Sequence, residues 1–275
     1  MSARATAIIP ARLGSTRFPR KALADETGKA LVVHVCERAA LAESVGRVVV
    51  ACDAEEIASV VRAAGFEAVM TSPEHENGTS RLAEAAALLG LGEREVIVNV
   101  QGDEPEIEPS LIDSAVRALR WRHEPGSGLP TARRVGPDGS IRSEVWASTV
   151  ASPFQLGEDP GDQNIVKAVV GLLEADEGIG MALYFSRSRV PHPAEAHPRA
   201  TPLKHVGLYA YQRRRLDHYV SLAPTPLEQT ERLEQLRWLE HGLPVAVAVR
   251  HADHHGVDTP EQYAAFVERW RAANA

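Results

Sequence analysis

The chain has 275 residues, of which 44% are hydrophobic, enough to bury a substantial core in one large α/β domain. Its formal net charge is −7, so no global basic field is present to hold nucleic acid by counterion release. No apolar run approaches the roughly 18 to 20 residues that span a bilayer, and no secretory signal pattern opens the chain. We therefore expect a cytoplasmic protein with neither a nucleic-acid nor a membrane partner.

Short β-rich apolar runs alternate with longer segments of helical periodicity. This pattern predicts an α/β fold with a mostly parallel central sheet and helices on both faces. The first strand is predicted at residues 5–9, followed by a polar loop and a helix at 30–43. The second strand, at 47–52, ends before Asp53, a natural N-cap for a helix at 54–64.

The third and fourth strands are predicted at residues 68–70 and 95–100, on either side of a helix at about 79–89. The fourth strand is a nearly continuous apolar run, as expected at the centre of a sheet covered on both faces. It is followed at once by Gln101-Gly102-Asp103-Glu104-Pro105. Ligands bind at the carboxyl ends of strands in open α/β sheets, so this segment is a candidate site.

From about residue 121 to 163 the chain is rich in Gly, Pro, Asp and Arg. This composition predicts a smaller, peripheral, β-containing excursion with one strand near 145–151, attached to a single domain that spans 1–275. Later strands are predicted at 165–170, 181–185, 206–211 and 245–250, and later helices near 212–220, 227–240 and 260–272.

The loop after the first strand carries four cations, namely Arg12, Arg17, Arg20 and Lys21. Together with small residues, such a loop offers backbone N–H groups to phosphate oxygens while the side chains neutralise their charge. It contains neither a Walker A motif nor a GxGxxG fingerprint, which argues against P-loop and Rossmann sites. The loop is predicted to bind a triphosphate; a solvated basic loop is the alternative.

Asp103 lies in the loop after the predicted strand at 95–100, and Asp258 lies just before the predicted helix near 260–272. Magnesium prefers one or two carboxylates and completes its shell with water and phosphate oxygens, so the pair predicts a magnesium site. Asp258 also precedes Thr-Pro-Glu, a pattern that favours an N-cap role instead. The His-rich pieces at 192–198 and 251–255 lack the ligand spacing of a zinc site. Cys36 and Cys52 form no metal or redox motif and are expected to be buried thiols.

Eight segments, in the same order along the chain, resemble the 3-deoxy-D-manno-octulosonate (Kdo) cytidylyltransferases, also called CMP-Kdo synthetases. The segments are IIPAR and STRFP with Lys21 in residues 8–21, NGTSRLAE at 77–84, VNVQGDEP at 98–105, ALYFSR at 182–187, HVGLY at 205–209, LEQ at 227–229, LEQLR at 233–237 and GVDTPE at 256–261. Any one of them is a weak signal, but together they cover almost the whole chain. The resemblance implies a nucleotidyltransferase-like fold, CTP and an acidic sugar as substrates, Mg²⁺ as cofactor and a homodimer.

The resemblance also implies a role for each matching residue. Arg12, Lys21 and Asp103 would be catalytic, and Asp103 and Asp258 would ligate magnesium. The implied nucleotide-binding residues are Arg12, Ser15, Thr16, Arg17, Lys21, Gly78, Thr79 and Arg81. The implied residues of the sugar-acid pocket are Gln101, Arg187, His205, Tyr209, Glu234 and Gln235.

The implied reaction is transfer of CMP from CTP to the anomeric hydroxyl of Kdo, giving CMP-Kdo and pyrophosphate for lipopolysaccharide synthesis. Two departures from the family pattern bear on it: Ser80 stands where an acidic residue is common, and residues 121–163 form a longer connection. The alternatives are a cytidylyltransferase for another acidic sugar, such as an amino-modified Kdo or a nonulosonate, and a catalytically inactive nucleotide-binding regulator.

Overall fold

The computed structural model describes residues 4–15, 17–75, 77–121, 145–174, 176–192, 201–253 and 255–275, with the backbone of 134–135 and 141–142. These residues form two compact units. The first contains the described residues up to Asp113 and from Asp253 onward, and the second contains those from Ser114 to Ala252. A single domain over the whole chain stays a prediction.

Strands and helices alternate in the first part of the chain, as the periodicity predicts. The elements, in chain order, are β1 (Ala5–Ala11), a 3₁₀ helix (Lys21–Leu23), α1 (Leu31–Ala40), β2 (Val45–Cys52), α2 (Glu55–Ala63), β3 (Glu67–Met70), α3 (Gly78–Leu88), β4 (Val96–Asn99), α4 (Pro109–Arg120), β5 (Arg134–Val135), β6 (Ile141–Arg142), β7 (Ala147–Pro153), β8 (Lys167–Glu174), β9 (Ile179–Ser186), β10 (Leu203–Gln212), α5 (Arg213–Ser221), α6 (Pro226–Glu231), α7 (Leu236–Glu240), β11 (Val245–Val249) and α8 (Pro260–Ala273). Within the described ranges, no helix is both long enough and apolar enough to cross a membrane.

In the first unit, four strands lie in the order β3-β2-β1-β4 with every pairing parallel. Strand β1 is deeply covered, because every residue except Pro10 is buried and Ala7, Ile8 and Ile9 are fully buried. Parallel strands joined by helices bring all their carboxyl ends to the same edge of the sheet. The predicted α/β fold with flanking helices is confirmed, and this edge receives the loops that follow β1, β2, β3 and β4.

Helix α8 closes the first unit through an apolar cluster. Tyr263, Phe266 and Val267 of this helix pack with the buried Leu31. Phe18, in the loop after β1, packs against the same cluster, with its ring centroid 5.4 Å from that of Tyr263. The middle of the cation-rich loop is therefore anchored to the C-terminal helix by hydrophobic contact.

In the second unit, the strands lie in the order β10-β7-β11-β9-β8. Strand β7 is antiparallel to β10 and parallel to β11, while β9 is antiparallel to both β11 and β8. Strand β8 also pairs with β10, where Leu203 lies opposite Ala168, so the pairings close on themselves. The sheet of this unit is therefore mixed, in contrast to the parallel strands of the first unit.

The strand predicted near 145–151 lies in the interior of the second unit, as β7, and not in a peripheral excursion. Its first six residues are all buried, because small Ala, Ser and Thr side chains fit between neighbours on both faces. Of the remaining excursion, the backbone at 134–135 pairs antiparallel with that at 141–142. Residues 122–133, 136–140 and 143–144 lie outside the described residues.

The prediction of one helix over 227–240 is wrong, because two short helices, α6 and α7, occupy this range. A capping box between Thr225 and Glu228 starts α6, and Arg232 ends it in the left-handed conformation with φ of 55°. The buried Arg237 of α7 then reaches back to Glu228 through two hydrogen bonds of 2.7 and 2.6 Å. This ion pair fixes the two helices against each other.

The two cysteines are fully buried free thiols, which confirms the prediction of core packing. Burial is the main cause that raises the pKa of Cys36 to about 12. A thiol is reactive mainly as the thiolate, so Cys36 contributes packing and not nucleophilic chemistry.

Replacement of Arg237 with Met tests the packing of the second unit. The substitution leaves the Glu228 carboxylate buried without its cation, and both side chains are only 10% exposed. Breaking a buried pair from one side typically costs about 3–5 kcal/mol. We expect a loss of that order in the free energy of unfolding, measured by denaturant titration.

The matched control is Arg47→Met, because Arg47 makes the same two-bond contact with Glu67 on the surface. The two side chains of this pair are 39% and 43% exposed. Exposed pairs contribute about 0–1 kcal/mol, so this variant should be nearly as stable as the unsubstituted protein. Equal losses in the two variants would contradict the assignment of a buried, structural ion pair.

Candidate functional site

The end of β1 and the loop after β4 are in direct contact at the carboxyl edge of the first unit. A Cβ atom on Gly102 would lie 2.6 Å from the backbone oxygen of Pro10, closer than any side chain tolerates. Glycine at this position therefore allows the two backbones to approach. The approach brings the cation-rich loop beside Asp103.

The ammonium group of Lys21 lies between two carboxylates. Its Nζ donates to Oδ2 of Asp103 at 2.9 Å and to Oδ1 of Asp258 at 3.1 Å. The backbone N–H of Val257 donates to the backbone oxygen of Asp103 at 2.8 Å, which holds the two acidic segments side by side. The structure therefore brings together Lys21, Asp103 and Asp258, which are far apart in the sequence.

The alternative interpretation of Asp258 as a helix N-cap is wrong. Thr259 is the N-cap of α8, and its side chain accepts from the backbone N–H of Gln262 in a capping box. The carboxylate of Asp258 is left to contact Lys21 and the guanidinium of Arg17, whose Nη2 lies 3.0 Å away. Two cations from the loop after β1 thus meet at one carboxylate.

A third carboxyl group, that of Glu104, lies beside these two aspartates. Burial, followed by the negative charges of Asp103 and Asp258, raises the pKa of Glu104 to about 8, while Lys21 acts in the opposite direction. Glu104 therefore holds a proton at neutral pH and adds little charge to the cluster. Glu104 lies within the motif at 98–105 but is not among the residues predicted to be functional.

The donor set of the cluster suits magnesium. Asp103 and Asp258 each place an oxygen within 3.1 Å of one atom, the ammonium nitrogen of Lys21. Over the ranges that the structure describes, no group of three or more His, Cys, Asp or Glu side chains is arranged to hold a metal ion. Two carboxylates supply part of an octahedral shell and leave positions for water and phosphate oxygens, which is the way magnesium is usually bound.

Asp53 organises the start of the cation-rich loop. The backbone N–H of Leu13 donates to its Oδ1 at 3.0 Å, and Nη2 of Arg81 lies 3.2 Å from its Oδ2. Arg81 is 3% exposed and also donates to the hydroxyl of Thr71, after β3, at 2.7 Å. The prediction of Asp53 as an N-cap is wrong, because Ala54 takes that position without a side-chain cap. One buried ion pair connects the ends of β1, β2 and β3.

The other predicted nucleotide-binding residues differ in their environments. Arg12 and Arg17 are exposed and Ser15 is half-buried, so their side chains are accessible at the loop surface. Gly78 begins α3, and a Cβ there would be 3.3 Å from the ring of Pro10. Thr79 follows in the first turn, and Thr16 lies outside the described residues. A contact between Arg81 and a nucleotide stays a prediction, since its described contacts are with Asp53 and Thr71.

Ser80, the departure from the family pattern, lies in a hydrogen-bonded chain at the start of α3. Asn77 caps this helix by accepting from the backbone N–H of Ser80 at 2.9 Å. The Ser80 hydroxyl lies 3.1 Å from Nδ1 of His75, and Nε2 of His75 lies 2.5 Å from the carboxylate of Glu84. These hydrogen bonds connect the segment before α3 to the helix itself.

Arg187, at the end of β9 in the second unit, is held by Glu231. Its backbone N–H donates to Oε2 of Glu231 at 2.9 Å, and its Nε donates to the backbone oxygen of the same residue at 2.9 Å. The hydroxyl of Ser186 donates to Oε1 of Glu231 at 2.7 Å. The Arg187 guanidinium is therefore oriented by α6, which gives Glu231 a positioning role.

His205 is a neutral hydrogen-bonding group. Burial lowers its pKa to about 3, and its ring packs against those of Phe185 and Tyr209. Its Nε2 lies 2.8 Å from the hydroxyl of Thr149, which also lies 2.7 Å from the backbone oxygen of Leu208. Because the hydroxyl hydrogen is used on that oxygen, Nε2 carries the hydrogen of the imidazole and Nδ1 is an acceptor.

The remaining predicted sugar-side residues are near these aromatic rings or in the first unit. Burial, followed by the charge of Glu234, raises the pKa of Tyr209, so its hydroxyl keeps its proton. Gln235 is 7% exposed at the start of α7. Gln101 follows β4 in the first unit, with its Nε2 3.4 Å from Oδ1 of Asn99.

A family model described as cytidylyltransferase matches residues 6–247 of the chain. The 3-deoxy-manno-octulosonate cytidylyltransferase of Geobacter metallireducens is 43% identical over 96% of this chain and 96% of its own length. The enzyme of the same name from Leptothrix cholodnii is 42% identical over 93% of this chain and 88% of its own length.

Among solved structures, a CMP:2-keto-3-deoxy-manno-octonic acid synthetase complexed with CTP matches the fold with a TM-score of 0.82. Its sequence is 34% identical, and the match covers 98% of this chain and 99% of that chain. The likeness therefore extends across both compact units.

Replacement of Asp53 with Asn tests the positioning of the cation-rich loop. Asn retains an oxygen for the N–H of Leu13 but leaves the buried Arg81 without a countercharge. Small misplacements of binding groups can cost up to about a hundredfold in rate, so we expect the dissociation constant for CTP to rise by roughly tenfold. The measurement is calorimetric titration with CTP.

The matched control is Glu56→Gln, because Glu56 pairs with Arg20 of the same loop but at the surface. The two side chains are 56% and 58% exposed, so the loss of this pair should leave CTP binding nearly unchanged. An unchanged dissociation constant in Asp53→Asn, or equal effects in both variants, would show that the buried pair does not position the loop.

A His205→Gln variant tests the neutral state of His205. Unfolded histidine takes up a proton near pH 6.5, whereas folded His205 does so only near its pKa of about 3. Between these values the unfolded state binds more protons, so His205 lowers the free energy of unfolding as the pH falls. At pH 4.5 this contribution is about 2–3 kcal/mol, which the variant should remove. Denaturant titrations from pH 4.5 to 7 with identical pH dependence in both proteins would contradict the assignment.

Proposed function

Because the chain belongs to the 3-deoxy-manno-octulosonate cytidylyltransferase family, we propose that the cluster of Lys21, Asp103 and Asp258 is its catalytic centre. The chain is a nucleotidyltransferase that transfers CMP from CTP to Kdo, giving CMP-Kdo and pyrophosphate for lipopolysaccharide synthesis. The single observation that supports the placement of the centre is the Lys21 ammonium, which joins two carboxylates from separate loops at one sheet edge.

The reaction forms one bond and breaks one. The anomeric oxygen of Kdo attacks the α-phosphorus of CTP, and the bond between that phosphorus and the oxygen bridging to the β-phosphate breaks. Pyrophosphate leaves with the electron pair of that bond, and the hydroxyl proton passes to solvent. No covalent intermediate with the protein is required, so positioning and charge stabilisation account for the catalysis.

The loop after β1 supplies the positive charge for the triphosphate. Arg12 and Arg17 are exposed on this loop, and Lys21 lies at its end beside Asp103. Guanidinium groups bind phosphate oxygens in pairs, whereas the Lys21 ammonium acts as a point charge. We assign binding of the triphosphate to Arg12, Arg17 and Lys21, with Ser15 and the first turn of α3 as further contacts.

Cytidylyltransferases of this family generally use a divalent metal ion. We assign magnesium to the chain and Asp103 and Asp258 as its ligands, because their oxygens already converge on a single cation. When bound, the ion would polarise the α-phosphate and stabilise the charge of the leaving pyrophosphate. Lys21 keeps the two carboxylates oriented toward each other.

The acceptor is an acidic sugar, and we place its recognition in the second unit. The Arg187 guanidinium suits the carboxylate, because a fork of N–H donors matches its two oxygens. His205 is neutral with Nδ1 as acceptor, so it suits a sugar hydroxyl and not the carboxylate. Tyr209 would donate from its hydroxyl, and Glu234 and Gln235 would bind further hydroxyl groups. A sugar-binding role for Gln101, which lies in the first unit, stays a prediction. A homodimer and a cytoplasmic location stay predictions.

The function is tested by pyrophosphate release on mixing the protein with CTP, Mg²⁺ and a panel of acceptors. The panel contains Kdo, 8-amino-Kdo, a nonulosonate and a hexose 1-phosphate. We expect Kdo to give the highest kcat/KM. Preference for the amino sugar or the nonulosonate would indicate another acidic sugar as substrate, and no release with any acceptor would indicate an inactive nucleotide-binding protein.

Replacement of Asp103 or Asp258 with Asn tests the catalytic centre. Each substitution removes one charge that orients Lys21 and one oxygen ligand suited to magnesium. We expect kcat to fall by roughly a hundredfold or more in either variant, while the melting temperature changes little. Pyrophosphate release and thermal melting, each measured over a range of Mg²⁺ concentrations, check this.

The matched control is Glu106→Gln in the same loop, because Glu106 pairs with Arg269 away from Lys21. This variant should keep nearly full activity. If both aspartate variants retain the unsubstituted rate at limiting Mg²⁺, the two carboxylates are not the catalytic centre.

A further inference from the structure

Lys167, the first residue of β8, is a buried cation that the proposed reaction does not use. It is 0% exposed, and its Nζ donates to the backbone oxygens of Asp162 at 2.8 Å, Ile165 at 2.6 Å and Arg187. An ammonium group has three N–H donors, so all of them are satisfied by carbonyl groups. Burial lowers the pKa of Lys167, which agrees with its removal from water.

The segment from Asp162 to Lys167, which we name the strap, contacts both the backbone and the side chain of Arg187. The ammonium of Lys167 donates to the backbone oxygen of Arg187. Nη1 of Arg187 donates to the backbone oxygen of Gln163 at 3.1 Å. On the other side, Glu231 binds the backbone N–H and Nε of Arg187. The guanidinium is therefore fixed through Nε and Nη1, and Nη2 has no partner among the residues that the structure describes.

The strap also holds the second predicted sugar-side group. The backbone N–H of His205 donates to the backbone oxygen of Val166 at 2.8 Å. Arg187 directly follows β9 and His205 lies in β10, and the strap is hydrogen-bonded to both residues. The strap is closed in part by hydrogen bonds from the backbone N–H groups of Asn164 and Ile165 to Asp162. The Lys167 ammonium adds bonds to Asp162 and Ile165 and is the group that links both of them to Arg187.

We propose that Lys167 is a positioning residue for recognition of the acidic sugar, acting through the strap to fix the guanidinium of Arg187. The inference rests on the proposed function of Arg187 as the partner of the sugar carboxylate. A guanidinium that is already held in place loses little side-chain entropy on binding, so a positioned Arg187 binds more tightly than a mobile one. Lys167 thereby contributes to the affinity for Kdo without contacting it.

The test is Lys167→Met, which keeps an unbranched side chain of similar length and removes the three donors. We expect the KM for Kdo to rise roughly tenfold to a hundredfold, as for a misplaced binding group, while the KM for CTP stays within about twofold. A general structural defect would change both constants and the melting temperature together. Steady-state pyrophosphate release with each substrate varied in turn separates the two cases.

The matched control is Lys204→Met, because Lys204 lies opposite Lys167 in the register of β10 and β8 and is also buried. Its Nζ binds Glu158 at 2.7 Å and does not contact the strap or Arg187 in any described bond. This variant should leave the KM for Kdo unchanged at a similar cost in stability. Equal rises in both lysine variants would overturn the proposal.

A double-mutant cycle with Arg187→Ala tests whether Lys167 acts through Arg187. If it does, adding Lys167→Met to Arg187→Ala causes no further rise in the KM for Kdo. Independent, additive effects of the two substitutions would overturn the proposal. If Lys167→Met does not fold, Lys167→Gln replaces it in the same cycle, because its amide keeps two of the three N–H donors and lacks the charge.

A second measurement keeps the inference separate from the proposed function. The ¹H–¹⁵N signal of the Arg187 Nε–H, assigned by its loss in Arg187→Lys, should be slow to exchange with solvent and should exchange faster in the positioning variant. If the unsubstituted protein releases no pyrophosphate with Kdo, the proposed function fails, but this signal still decides whether Lys167 positions Arg187. An unchanged exchange rate would overturn the inference.

Discussion

The first unit depends on the balance of charge around one ammonium group. Asp103 and Asp258 carry like charges, and two such carboxylates destabilise each other unless a cation lies between them. Lys21 provides that cation, and the same repulsion, added to burial, raises the pKa of Glu104 to about 8. Because the cation comes from the loop after β1 and the anions come from loops at other elements, this balance determines where three segments of chain must meet.

The parallel sheet of the first unit brings the segments that carry these charges to one edge. All four strands of the first unit end on one side, so their loops are neighbours without any long connection. Gly102 lets the loop after β4 approach the end of β1 at backbone distance, and the pair of Asp53 and Arg81 connects the segments after β1, β2 and β3. Phe18 adds a hydrophobic anchor on α8. The exposed Arg12 and Arg17 are thus carried by a loop that is fixed at its start, middle and end.

The alternation of apolar runs and helical periods was sufficient to predict the α/β fold, because β1, β2 and β4 each bury a run of consecutive, mostly apolar residues. It also placed Asp103 at a carboxyl end. Asp53 was misassigned because an acidic residue after a strand fits both an N-cap and a loop anchor, and the choice depends on Arg81, which is distant in sequence. The role of Lys167 had no local signal, since its partners are backbone carbonyls that only the tertiary structure brings together. The end of α6 was not predicted because Arg232 takes the left-handed conformation there, and Gly or Asn is the usual sequence sign of such an end.

The two units meet different chemical requirements with different kinds of side chain. A triphosphate brings several negative charges, so the exposed guanidinium groups of Arg12 and Arg17 would attract it even when their side chains keep some freedom. A sugar acid differs from its analogues by a few hydroxyl groups, and discrimination of that kind needs desolvated hydrogen-bonding groups in fixed orientations. His205, with its lowered pKa, and Lys167, with all donors on carbonyls, satisfy that need. In the proposed assignment, accessible guanidinium groups would meet the phosphates, whereas the sugar would meet the uncharged His205 and an Arg187 guanidinium that neighbouring groups already hold in place.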